Sequence, residues 1–284
     1  MIPAFLVYAA CLTLTATDFF ARAWRIRLLI VALGAEIRTL DAIAMTALGD
    51  AAAALSPMRA AGEPARLLGA RQAGTPVATA LVALGLEALL TYGVALPGGI
   101  VLAALYGGEW SSSLRLPRLG GMVKWSLIAV AAVGIVAVSA VAVHEARIGA
   151  VKRWLAALRE AIVDLARLPH RLMTGLLLLS IVSFVARVGI LPLLTGLVPT
   201  RPSIGVATLA SFTLLYGQIV VPTPSGAGAV DVAFLGGAAG VSAHAPRLLA
   251  LWRTFTTVLG TVAGLVLGAV VYGRAILSLL PFRR

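Results

Sequence analysis

The chain has 284 residues, 60% of them apolar and 12% charged, with a mean hydropathy of +1.00. Soluble domains carry about 25% charged residues, so a soluble core of this length could not hide so much apolar surface. The net charge of +12 comes from 23 Lys+Arg against 11 Asp+Glu, yet the basic residues cluster in gaps between apolar windows. That is the pattern of loops beside anionic lipid and not of a nucleic-acid-binding stripe.

The first window runs from Ile2 to Phe20. Its beginning, Met1 to Ala16, has the hydrophobicity of a signal peptide but lacks a charged n-region, and arginines follow it, so it reads as a retained span. It ends at Arg22-Ala-Trp-Arg25-Ile-Arg27, read as a basic and aromatic interface anchor that puts the N-terminus outside. Leu40 to Leu55 is apolar but short, carries Asp41 and Asp50, and stops at Ser56-Pro57. It reads as a broken or re-entrant segment, because a full crossing takes about 20 residues. Thr75 to Leu96 is the next span, with an apolar tail to Tyr106 interrupted by Pro97-Gly98-Gly99. A loop, Gly107 to Gly121, is followed by an uninterrupted span from Met122 to Val143.

His144 to Arg171 is the most charged stretch. Within it Val151, Trp154, Leu155, Leu158, Ile162, Leu165 and Leu168 recur at helical spacing, with basic residues between them. This predicts a basic amphipathic helix on the cytoplasmic surface, a solvated linker helix being the alternative. Met173 to Gly196 is a span, and Ile204 to Val221 a second broken segment that runs into Pro222-Thr-Pro224-Ser-Gly226-Ala-Gly228. A short piece, Ala229 to Val241, precedes the last span, Leu248 to Tyr272, whose Gly260, Gly264 and Gly268 suggest close helix packing. Arg274, Arg283 and Arg284 then place the C-terminus in the cytoplasm.

The expected fold is therefore all-α: a polytopic transmembrane protein of about five full spans and two re-entrant segments, forming a single membrane domain over residues 1–284. Its first half, 1–106, holds the broken segment 40–66. Its second half, 172–284, holds the broken segment 204–241, and the amphipathic helix at 144–171 lies between them. Interrupted helices at corresponding places in two inverted halves point to a transporter's binding site. No residue-level repeat supports the symmetry, which rests on topology.

Two constellations carry the chemistry. In Ser56-Pro57-Met58-Arg59-Ala60-Ala61-Gly62-Glu63-Pro64-Ala65-Arg66 the proline ends one helix and Pro64 can begin another. Glu63 and Arg66 are three apart and can pair on one face, and ion pairs at lipid depth are costly and usually functional. In Pro222 to Asp231 two prolines and two glycines forbid a regular helix. Backbone amides around Gly226 and Gly228 are candidates to hold an anion such as a lipid phosphate. The bland alternatives are an interfacial helix cap and an outer turn. Glu87, Arg187 and Arg253 lie inside apolar windows and need partners, with Arg253–Glu87 or Arg253–Asp231 as candidate pairs. The single cysteine, Cys11, excludes an internal disulfide and suits core packing. His144, His170 and His244 are far apart, so no metal site is expected, and no cofactor motif is present.

In combination these segments resemble the flippase-like family, the transmembrane region of lysylphosphatidylglycerol synthases. Its pattern has an Arg-x-x-Arg anchor, a Thr-Pro-x-x-x-Gly-Gly-Glu-Pro-x-Arg segment and a span bearing a glutamate. A Pro-x-Pro-Gly-Gly-x-Gly-x-x-Glu segment and an arginine in the last span follow. The matching positions are Arg22 and Arg25, Ser56 to Arg66, Glu87, Pro222 to Asp231, and Arg253. Ala61 and Ser225 stand where glycines are usual, Asp231 replaces a glutamate, and Ala53 and Ala54 lie where asparagines are common. The soluble lysyl-transfer domain of some relatives is missing, which implies lipid handling without aminoacylation.

The resulting expectation is a lipid transporter of the bacterial inner membrane acting on lipids with an anionic head group. Arg22, Arg25, Arg66 and Arg253 would engage that group, helped by the backbone at Gly226 and Gly228. Glu63 and Asp231 would orient those arginines, or bind a cationic moiety or a proton, and Glu87 counts among the substrate-binding residues. An intramembrane transferase is the alternative, disfavoured because no nucleophile has a recognisable partner. A non-catalytic scaffold using the amphipathic helix is another. A homo-oligomer is compatible with all three.

Overall fold

A computed structural model describes residues 3–113, 163, 168–199, 201–221, 223–237 and 244–279. Its named helices all belong to one compact unit, Met1–Leu114 with His170–Arg284. They are α1 (Ala4–Ala32), α2 (Thr39–Leu55), α3 (Gly62–Gln72), α4 (Val77–Ser113), α5 (His170–Val188), α6 (Ile190–Thr195), α7 (Ile204–Val220), α8 (Ala229–Gly237), α9 (Ala245–Arg253) and α10 (Leu259–Leu279). One π-helical stretch, Thr254–Val258, joins α9 to α10. Among the described residues there is no β-strand, only an isolated antiparallel bridge between Pro57 and Pro224. The all-α polytopic expectation holds. Four helical stretches, Ala4–Ala32, Val77–Glu109, His170–Thr195 and Ala245–Gly273, are long and apolar enough to cross a membrane. The predicted span Met122 to Val143, and nearly all of the predicted amphipathic helix, lie outside the described residues.

Helix boundaries follow local chemistry. Gly34 stops α1 with φ +83°, and the Ala35 amide donates back to the Ile30 carbonyl, the left-handed C-terminal cap that glycine permits. Ser56 leaves the helical region at ψ 147° because the ring of Pro57 disfavours the α conformation in the residue before it. Pro64 sits in the first turn of α3, where a missing N–H costs nothing. Ser203 caps α7 by accepting a hydrogen bond from the Val206 amide at 3.2 Å.

Three boundaries differ from the sequence reading. α1 does not end near Phe20 but continues through Arg22 and Arg25 to Ala32, since arginine is a good helix former and these two are buried among partners. α4 runs through Pro97 without a break. There Gly98 and Gly99 admit the rings of Phe184 and Phe212, which any side chain would overlap. The loop expected from Gly107 is likewise helical up to Ser113.

The outer face is apolar, and the interior joins an apolar core to buried charges. Phe5, Ile100, Ile204 and Val270 are exposed, whereas Arg25, Asp41, Glu87 and Gln218 are buried, the arrangement expected where the surroundings are hydrocarbon. α2 lies against α1, α3 and α10. At the α2–α10 seam a side chain on Gly264 would overlap the Ala47 carbonyl, and one on Gly268 would press on Leu48. Those two of the three glycines in the small-residue series thus allow close approach. Cys11 is fully buried in a core with Leu191, Leu194 and Trp252.

Candidate functional site

The two broken segments meet. α2 ends in the turn Ser56 to Ala60, and α7 gives way to the turn Thr223 to Ala227. In the first, Met58 and Arg59 take φ of 51° and 58°; in the second, Ser225 and Gly226 take 51° and 63°. The hydrogen bonds also correspond: Arg59 N to Ser56 O and Ala60 N to Pro57 O, against Gly226 N to Thr223 O and Ala227 N to Pro224 O. Both turns follow a Ser/Thr-Pro pair. Besides the Pro57–Pro224 bridge, Ser225 donates its hydroxyl to the Ala54 carbonyl at 2.8 Å, and Arg59 donates to the Gln218 side chain at 3.3 Å. The two turns thus share one backbone conformation.

Beside this junction lies a cavity of about 220 Å³, lined by residues of α1, α2, α3, α4, α5, α7 and α10, the π-helical stretch and the first turn. Its charged lining, among the described residues, is Arg22, Asp50, Arg59, Glu63, Arg66, Glu87 and Arg187. Arg22 makes a two-pronged contact with Asp50 at 2.7 and 2.8 Å and also reaches Asp18. Arg66 donates to Glu87 at 2.7 Å, with Glu63 at 3.5 Å and Asp50 at 3.8 Å. Space for Arg66 is made at Gly49, where any side chain would collide with it. Arg187 donates to Asp18 at 2.9 and 3.1 Å, and the Ser183 hydroxyl donates to the same carboxylate. Behind the cavity, Arg25 joins Glu87 at 3.0 Å, Thr91 at 2.7 Å and Ser180 at 2.8 Å. The planar guanidinium suits such forked contacts and stays charged when buried.

The site residues expected from the sequence divide into two groups. Arg22, Glu63, Arg66 and Glu87 line the cavity, and Arg25 backs it. Arg22 and Arg25 are therefore not an interface anchor: both are buried in the ion network. Gly226, Gly228, Asp231 and Arg253 form a second cluster that does not line the cavity. There Arg253 grips Asp231 at 2.6 and 2.9 Å and donates to the Ser225 carbonyl. Of the two candidate pairs for Arg253, the one with Asp231 forms, while Glu87 goes to Arg25 and Arg66. The amides proposed for an anion are already engaged, Gly226 with Thr223 O at 3.0 Å and Gly228 with Asp231 Oδ2 at 3.1 Å. A short turn closes its own hydrogen bonds, which leaves no free cradle at those two positions.

Sequence reasoning missed Asp18, Asp50 and Arg59 as members of the site and left Arg187 as an unplaced intramembrane charge. A signal for Asp18 existed. It sits four residues before Arg22 inside an apolar window, the spacing of a helical ion pair at a depth where an unpaired carboxylate is costly. Arg59 carries no such signal, because its placement depends on two successive left-handed residues.

Among comparisons with known proteins, the family described as Lysylphosphatidylglycerol synthase TM region matches residues 1–264. No curated protein and no solved structure matches the chain.

Proposed function

The chain belongs to the lysylphosphatidylglycerol synthase transmembrane-region family, and from that premise we propose that it binds and moves a lipid with an anionic phosphate head group across the bacterial inner membrane. Family membership makes it a membrane protein related to lipid modification or transport; movement of a lipid is our step beyond that. The observation that carries it is the cavity: a pocket of paired arginines and carboxylates under the junction of two broken helices, in a molecule whose outer faces are apolar. Non-helical backbone at membrane depth survives only where protein or a water-filled cavity satisfies it, and interrupted helices are where transporters bind.

Membrane lipids would be the partners, reached from the apolar surroundings. The basic stretch 144–171 and the C-terminal arginines support a cytoplasmic C-terminus with the N-terminus outside; Arg22 and Arg25, being buried, no longer contribute to that assignment. The test is lipid movement in proteoliposomes, followed by quenching of a fluorescent phospholipid accessible on one leaflet. Wild type should accelerate exchange between leaflets, and Glu63→Gln and Arg66→Ala, at cavity-lining positions, should slow it at matched protein levels more than Asp231→Asn, which lies off the cavity. Exchange undiminished in all three variants sinks the reading.

A further inference from the structure

The charges around the cavity are unequally spent. Arg22, Arg66 and Arg187 each contact a carboxylate at 2.9 Å or closer, so an incoming phosphate would have to compete with those carboxylates for them. Arg59 differs. Its only described side-chain hydrogen bond is the 3.3 Å contact to neutral Gln218, and among the described residues no carboxylate pairs with it. Two consecutive left-handed residues hold it in place, each costing a non-glycine residue about 1–2 kcal/mol. On the acidic side, Asp50 and Glu87 are each tied at 2.7 Å. Glu63 is not: among the described residues it reaches Arg66 alone, at 3.5 Å, while Arg66 holds Glu87 more closely, and the Glu63 side chain is 60% exposed. Once the internal pairs are removed, the cavity presents, among the described residues, one uncommitted cation and one loosely held anion, four apart in the chain.

Resting on the lipid-handling reading, and keeping its anionic phosphate as one half of a charge pair, we propose that the head group taken by this cavity is zwitterionic. Its phosphate is met by Arg59, and a primary ammonium group is met by Glu63. A purely anionic head group would answer Arg59 but leave Glu63 facing its negative charge, and like charges at close range repel. A head group with both charges completes both contacts and leaves the surrounding ion pairs intact. The cavity, about 220 Å³, is smaller than the roughly 300–1,000 Å³ of sites that enclose drug-sized ligands. It is sized for a head group, with the acyl chains left in the apolar surroundings. Arg59 is then a specificity-determining residue and a sensor as well, since a phosphate displaces the Gln218 amide oxygen from its guanidinium.

The experiment places the purified full-length chain in nanodiscs with equal amounts of dioleoyl phosphatidylethanolamine and dioleoyl phosphatidylglycerol. Native mass spectrometry then reads the lipid retained. Wild type should favour phosphatidylethanolamine by about tenfold, the ratio that one charge-assisted hydrogen bond supplies. Glu63→Gln should bring that ratio to about one by lowering retained phosphatidylethanolamine alone, and Arg59→Gln should lower both lipids and keep the preference. The exposure of Glu63 makes Glu63→Gln safe for folding, which a thermal melt verifies. Equal retention by wild type, a preference for phosphatidylglycerol, or an equal loss of both lipids in Glu63→Gln overturns the zwitterion and leaves lipid handling standing. Retention of neither lipid by wild type overturns lipid handling and the zwitterion with it.

Discussion

The two broken segments share a backbone and differ in chemistry. Ser56 to Ala60 and Thr223 to Ala227 make the same proline-led, doubly left-handed turn with the same internal hydrogen bonds. The first is surrounded by charge: Arg59 lies in the turn, Glu63 and Arg66 follow it on α3, and Asp50 precedes it on α2. The second has one ion pair, Asp231 with Arg253, off the cavity. Its own helix α7 reaches the cavity through Leu215, Tyr216, Gln218 and Ile219, all uncharged, and Arg187 on α5 is the second half's one charge there among the described residues. A repeated backbone therefore does not imply a repeated site. The turn that both halves share opens the helix and provides a junction; among the described residues, the first half furnishes every charge lining the cavity except Arg187, which Asp18 holds.

Substitutions on the two sides can break or sharpen this contrast. The largest effect is expected at Glu87, which two arginines share in the buried network. Glu87→Ala leaves both without that partner and should cost about 3–5 kcal/mol, read as a lowered denaturation midpoint in detergent. On the opposite side, Asp231→Ala removes a pair whose members are each about a fifth exposed. A smaller loss is expected there, about 1.5–3 kcal/mol. If the two variants lose the same stability, the charge asymmetry between the halves has no energetic meaning.

The turns themselves supply the smaller tests. At Gly226, φ is +63° and a side chain would press on the backbone of Gln218. Gly226→Ala should therefore destabilise by about 1–2 kcal/mol from the left-handed strain, and by more if Gln218 is pushed from Arg59. In the first turn a change at Met58, the counterpart of Ser225, has the opposite sign. Met58 is exposed and already strained at φ 51°, so Met58→Gly should stabilise by up to about 1 kcal/mol, reduced by glycine's greater entropy when unfolded. A destabilising Met58→Gly measured by the same melt would show that its side chain, which lines the cavity, matters more to the fold than the strain it bears.

Much of this protein was legible without coordinates. Apolar windows gave the spans, because a bilayer-length helix leaves few other ways to satisfy its backbone. Ser56-Pro57 and the Pro-Gly run from Pro222 marked the two interruptions, because proline acts on its nearest neighbours in the chain. Glu63 with Arg66 was readable for the same reason, three residues spanning one turn of helix. What the sequence left open was every relation between distant segments. Whether Arg253 would pair with Glu87 or with Asp231 depends on which helices touch, and the answer is Asp231. Arg22 and Arg25 looked like an interface anchor because arginines at the end of an apolar window usually are. Only the packing of α2, α4 and α5 against α1 brings Asp50, Glu87 and Ser180 to them. Local composition determined that the chain lives in a membrane and where its helices break. Tertiary packing decided which of its charges neutralise one another, and so left Arg59 and Glu63 as the two for a ligand to answer.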